Sequence, residues 1–243
     1  VAGSYEAIGR GGRIAPALET LTGGAAWSVD AMTIPWKDLR RAVEDNDVFV
    51  GAGSEHNLSE RELEGVVGGH AYSLIAAKRV KVKGSDPVRL LQLRNPWGNF
   101  EWTGRWSDAS AEWTTHKKVA KACGVDPGKP SDDGVFWMEP GDFARHFREV
   151  TVCRLRRNFA QARWPVDTPK SLDAPAAAFE ICCTRDTTLD AALLQRTGRG
   201  LGPHHVMGDA LLLIFESDCM CSPEPVVSRV PEPRLQLGGD NHN

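Results

Sequence analysis

Gly69-His70-Ala71-Tyr72-Ser73 and Arg94-Asn95-Pro96-Trp97-Gly98 bracket the stretch of chain that decides the fold. Between them, residues 70–82 are rich in β-branched and aromatic side chains and read as a long strand. Gly84-Ser85-Asp86-Pro87 is a turn, because each of these residue types favours a turn for its own backbone reason. Val88–Arg94 is then the returning strand, and the two form an antiparallel hairpin. Working outward, Pro35–Glu44 reads as a helix, with Trp36, Leu39 and Val43 on one face. The apolar run Val48–Gly53 reads as a short strand. Val135–Met138 reads as another strand, followed by a helix over Pro140–Phe147 that places Phe143 four residues before Phe147. A few helices among mostly antiparallel strands make an α+β class.

The hairpin brings chemistry with it. Antiparallel partners face each other across the ladder, so His70 and Asn95 at its open end can meet. That pair is what a thiol nucleophile needs. An imidazole takes the thiol proton and later protonates the leaving amine. An amide bonded to the other ring nitrogen orients the imidazole, as the third member of a catalytic triad does. Trp97 stands beside the asparagine, where an indole can shield that bond from water.

Composition narrows the classes. The chain has 243 residues, 41% hydrophobic and 25% charged, which is ordinary for a globular protein of one or two domains. A formal net charge of -3, from 29 basic and 32 acidic side chains, leaves no electrostatic footprint for nucleic acid. No apolar run has the length needed to span a bilayer; the longest, Ala210–Phe215, is strand length. The start at Val1 shows no secretory signal and reads like the interior of a longer protein. The six cysteines are Cys123, Cys153, Cys182, Cys183, Cys219 and Cys221. None has the usual zinc spacing, and they read as reduced thiols in the cytoplasm.

The two motifs, taken together and in this order, resemble the calpain family of papain-type cysteine proteases. The match continues through Glu101-Trp102-Thr103-Gly104, Trp106-Ser107-Asp108, Trp113 and Asp133-Gly134-Val135-Phe136-Trp137-Met138. Upstream, Gly3-Ser4-Tyr5-Glu6-Ala7 and Leu21-Thr22-Gly23-Gly24 also resemble that family. The resemblance implies the second protease subdomain, a barrel-like half of antiparallel strands, over residues 1–156. It implies catalytic roles for His70 and Asn95, with Trp97 as the shield. It also implies a Ca²⁺ site built from Glu101, Asp108 and Asp133 with the carbonyl of Ser131. There the sequence departs from the family, because the position two residues after Asp133, usually acidic, is Val135.

The nucleophilic cysteine of papain-type enzymes precedes the histidine and lies in the other lobe. Here the first cysteine is Cys123, downstream of both His70 and Asn95. Such a chain is expected to need an upstream lobe to supply the cysteine, and to have no peptidase activity alone. Residues 157–177, with Pro165, Pro169 and Pro175, read as a linker. Residues 178–221 faintly resemble the opening strands of the calpain β-sandwich, over Ala178–Thr184, Asp190–Gln195 and Asp209–Glu216. Residues 222–243 read as a disordered tail. The function expected is calcium-dependent thiol endopeptidase action on intracellular protein substrates. The alternative is a catalytically inactive calpain homologue that acts as a Ca²⁺-responsive binding or regulatory module.

Overall fold

The structure, a computed structural model, describes residues 11–56 and 64–155 together with Ile181 and Ala191. The chain divides into two units, Val1–Leu155 and Arg156–Asn243. Apart from Ile181 and Ala191, the expected linker, sandwich strands and tail lie outside the described residues.

Helix α1 (Ile14–Thr22) leads into strand β1 (Ala25–Asp30), helix α2 (Trp36–Glu44) and strand β2 (Val48–Ser54). The hairpin follows as β3 (Ala71–Val80) and β4 (Val88–Arg94). Two short helices, α3 (Glu112–Thr115) and α4 (Lys117–Cys123), come next. Strand β5 (Val135–Met138), helix α5 (Pro140–His146) and strand β6 (Phe147–Arg154) complete the unit. The strands form one six-stranded sheet in the order β1-β6-β2-β3-β4-β5, with every pairing antiparallel. The α+β class expected from the sequence is the class observed.

Differences from the sequence reading have local causes. His70 was expected to open β3, but the strand begins at Ala71, because the His70 N–H bonds the Ser54 side-chain hydroxyl at 2.9 Å instead of a main-chain carbonyl of β2. Pro35 is the residue before α2 rather than part of it; its ψ of 138° is extended. Phe147 leaves α5 for β6, yet its ring still stacks on Phe143 with centroids 4.7 Å apart. Residues 114–133, which the sequence reading did not assign, contain the second half of α3 and all of α4. Helix α4 buries Val119 and Ala120 on one side.

The main core takes one face of the sheet and the helices laid on it: Leu39 of α2, Val50 and Ala52 of β2, Tyr72 and Leu74 of β3, Leu91 and Leu93 of β4, and Phe143 of α5. Each buried Leu or Phe of this kind contributes roughly 1.5–3 kcal/mol relative to exposure. A second cluster, with Val80, Leu90, Trp106, Trp113, Val119 and Trp137, closes the turn end of the hairpin. The hairpin is thus clamped at its turn end by apolar area, which leaves its open end fixed in place for polar work.

Candidate active site

Register sets the approach of the two candidate residues. Ser73 pairs with Arg94, and continuing that register puts Asn95 opposite Tyr72. His70 is then the diagonal neighbour of Asn95 on the same face, at roughly 7–8 Å between backbones, a gap long side chains can close. They close it: His70 Nε2 lies 2.9 Å from Asn95 Oδ1.

The asparagine decides which ring nitrogen carries the proton. Its Nδ2 donates to the carbonyls of Asn99 at 2.7 Å and Phe100 at 3.3 Å. The Trp97 N–H donates to Oδ1 at 3.1 Å. Carbonyls only accept and an N–H only donates, so the amide has one orientation consistent with its neighbours. Oδ1 must accept from His70, and Nε2 must be protonated. Nδ1 is left as the acceptor of the neutral ring, the nitrogen that can take a thiol proton.

The amide itself is held from below. Asn95 is fully buried, where an unpaired polar group costs about 1–3 kcal/mol. Its N–H donates to the carbonyl of Gly134 at 2.7 Å. Gly134 has φ +82, and a Cβ there would lie 2.7 Å from the Asn95 carbonyl oxygen, so only glycine fits. Phe100 has φ +58, an uncommon left-handed turn in the loop whose carbonyls receive the amide. On the ring's flanks, the Trp97 indole leans on His70 with centroids 4.2 Å apart and planes at 38°. Trp97 is 59% exposed, so one side covers the imidazole while the other faces outward. Tyr72 meets the His70 ring edge-on at 5.1 Å, and its hydroxyl accepts the Val67 N–H at 2.8 Å. Burial pushes the Tyr72 hydroxyl pKa up, which keeps it a phenol.

The four residues named for calcium lie in two loops that the structure ties together. Glu101 Oε1 accepts the N–H groups of Asp133 at 2.8 Å and Gly134 at 2.6 Å. Asp108 Oδ2 accepts the Ser131 N–H and hydroxyl, both at 3.1 Å. Burial, and then the like charges of Asp108 and Asp133, hold the Glu101 carboxyl above its ordinary pKa against the pull of the two N–H bonds. Among the described residues no group of three or more His, Cys, Asp or Glu side chains is placed to hold a metal ion. The donor chemistry, all oxygen, suits a hard cation; the carboxylates are not gathered around one point.

The model of the calpain family cysteine proteases matches residues 1–154 of this chain. The chain belongs to the calpain family of cysteine proteases. The calpain-type cysteine protease DEK1 of Arabidopsis thaliana is 39% identical over 165 residues, covering 63% of this chain and 7% of that protein. Calpain-9 of Homo sapiens is 34% identical over 166 residues, 63% of this chain and 22% of that protein. The calpain-1 catalytic subunit of Mus musculus is 36% identical over 178 residues, 67% of this chain and 23% of that protein. The chain therefore matches less than a quarter of the length of each of these calpains.

In a calpain the histidine works on a cysteine, and among the described residues neither cysteine stands beside His70. Cys123 packs against the second core cluster, within reach of the Lys78 charge at the far end of β3. From Lys78 to His70, at about 3.3 Å per residue, is roughly 25 Å. Burial pushes the Cys123 thiol up to about 12, the opposite of an activated nucleophile. Cys153 is fully buried, with its sulfur 3.4 Å from the Thr22 hydroxyl. The other four cysteines lie outside the described residues. No helix among the described residues is long and apolar enough to cross a membrane. The sequence reading missed Phe100, Gly134 and Tyr72 as supports of the pair. Gly134 and Tyr72 stand inside the family-like motifs, but nothing in the sequence signals the left-handed turn at Phe100.

Proposed function

We propose that this calpain-family chain is the base-bearing half of a calcium-responsive thiol endopeptidase, completed by a lobe that supplies the nucleophilic cysteine. The observation that carries this reading is the 2.9 Å bond from His70 to an Asn95 whose amide can point only one way. In the completed site His70 Nδ1 accepts the thiol proton and returns it to the leaving amine. Asn95 holds the ring in that tautomer, and Trp97 screens the His70–Asn95 bond from water. Protein substrates, cut in exposed flexible segments in the cytoplasm, belong to the same proposal.

Calcium belongs to it as well. Glu101, Asp108, Asp133 and the Ser131 carbonyl are the proposed ligands, with Val135 contributing no side-chain oxygen. A bound cation would neutralise acids that now oppose one another. A connection to the site supports this: Gly134 gives its N–H to Glu101 and its carbonyl to Asn95. The test is to mix this chain with a cysteine-bearing calpain lobe and assay peptide cleavage with and without Ca²⁺. Cleavage should appear only in the mixture. It should fall by at least about 100-fold with His70→Ala, and by roughly 10-fold or more with Asn95→Ala. A mixture as active with His70→Ala as without it sinks the reading. A mixture that stays silent with every cysteine-bearing lobe favours the binding-module alternative.

A further inference from the structure

The hydroxyl of Ser54, in a residue only 5% exposed, stands at the end of β2. The register between β2 and β6 shifts between Gly53 and Ser54, so that Gly53 pairs with Glu149 and Ser54 with Phe147. Such an irregularity re-aims a side chain relative to the regular ladder. Ser54 Oγ accepts the His70 N–H at 2.9 Å and donates to the Val67 carbonyl at 2.6 Å. The Ser54 N–H donates to the His70 carbonyl at 2.9 Å. Both main-chain polar groups of His70 thus go to one residue, and one hydroxyl also ties back the loop that delivers the histidine.

That loop needs tying. Gly65, Gly68 and Gly69 make the approach to His70 conformationally permissive, and Gly69 itself has φ +63. Strand β3 begins only at Ala71, and Ser54, continuing the β2–β3 register past the Gly53–Ala71 pair, bonds the His70 main chain beyond it. On the far side the ring bonds Asn95. Two fixed ends define an imidazole: the main chain, and the nitrogen that donates.

We propose that Ser54 is a positioning residue for His70, holding the histidine main chain so that Nε2–H stays aimed at Asn95 and Nδ1 stays open to a thiol. The proposal rests on the reading of His70 and Asn95 given above. It does not require a cysteine to be present, so it can be tested on this chain as it is.

The experiment is nitrogen-resolved NMR of the histidine side chains, following the His70 Nε2–H resonance and its exchange with water. In the unaltered chain one protected Nε2–H resonance is expected. Ser54→Ala should speed its exchange by roughly ten-fold, the size expected for losing one buried hydrogen bond. Ser54→Thr, which keeps the hydroxyl, should restore protection. Thr151→Val is the control: it removes a fully buried hydroxyl, bonded to Ser28 at 2.8 Å on neighbouring strands, without touching His70. It should leave the resonance protected. If Ser54→Ala does not fold, Ser54→Cys, with a weaker acceptor of similar size, is read in its place. Asn95→Ala separates the two ideas. If Asn95→Ala abolishes protection and Ser54→Ala or Ser54→Cys does not alter it, the role of Ser54 is overturned and the pair stands. If Asn95→Ala leaves protection intact, the pair and everything built on it fall together.

Discussion

The two ends of the β3–β4 hairpin are both buried, but they are built by different forces. At the turn end, Val80, Leu90, Trp106, Trp113, Val119 and Trp137 exclude water by area. Their directional bonds are few, such as the Trp113 indole to the Ser107 carbonyl at 2.7 Å. At the open end, Asn95 makes directional bonds to His70, Trp97, Asn99, Phe100 and Gly134. Apolar burial is indifferent to angle, whereas hydrogen bonds fix it. The turn end therefore stabilises the hairpin, and the open end orients one ring on it.

If this division is right, damage at the two ends should read out differently. The largest effect belongs to the apolar end. Trp113→Ala should lower unfolding free energy by about 3–5 kcal/mol in denaturant titrations. The His70 Nε2–H resonance of the folded fraction should be unchanged. A loss under about 1 kcal/mol would mean the tryptophan cluster is not the clamp described. Next is Gly134→Ala, which forces a side chain into a left-handed position against the Asn95 carbonyl. It should cost about 1–3 kcal/mol, and unlike Trp113→Ala it should perturb the His70 resonance. Perturbation by both variants, or by neither, breaks the comparison.

The cysteine at the turn end gives a smaller, pH-dependent test. Cys123 has its folded pKa raised from 9.0 to about 12 by burial. Its contribution to stability is fully present below pH 9 and is lost as pH rises from about 9 toward 12, because the unfolded chain sheds that proton first. Cys123→Ala should flatten stability against pH in that window, and alkylation of Cys123 at pH 8 should be slow in the folded chain. Rapid alkylation at pH 8 would show an exposed thiol and contradict the packing. The smallest effect belongs to Glu101, whose raised pKa means the folded state favours the protonated form. Stability should improve modestly as pH falls toward the carboxylate range, and Glu101→Gln should remove that dependence. A pH response unchanged by Glu101→Gln would contradict a Glu101 carboxyl raised by burial and by the neighbouring acids.

Much of the hairpin was legible because its limits are chemical. Val88–Arg94 is bounded by Pro87 on one side and Asn95-Pro96 on the other, and it appears with those limits. Val135–Met138 is likewise set off by Gly134 and Pro140. Helix α1 was not legible: Ile14–Thr22 contains Pro16 and two threonines, weak helix formers, and none of its residues is buried. Strand β6 was hidden because Phe143 and Phe147 share helical spacing, although only the first is in the helix. His70 and Asn95 could be paired from register and residue type. Ser54 could not, because a serine after Gly51-Ala52-Gly53 carries no sign that a register shift turns its hydroxyl toward His70.

The role proposed for His70, held by Asn95, is to make a thiolate in a cysteine delivered by another lobe. The direct measurement is the rate at which iodoacetamide alkylates the cysteine of an added calpain lobe at pH 6, with this chain present. An ordinary thiol has a pKa of about 8.5 and reacts slowly there, whereas one paired with a histidine is largely ionised. Alkylation should be fast with the unaltered chain and slow with His70→Ala. Equal rates with both, in a complex shown to have formed, would contradict it.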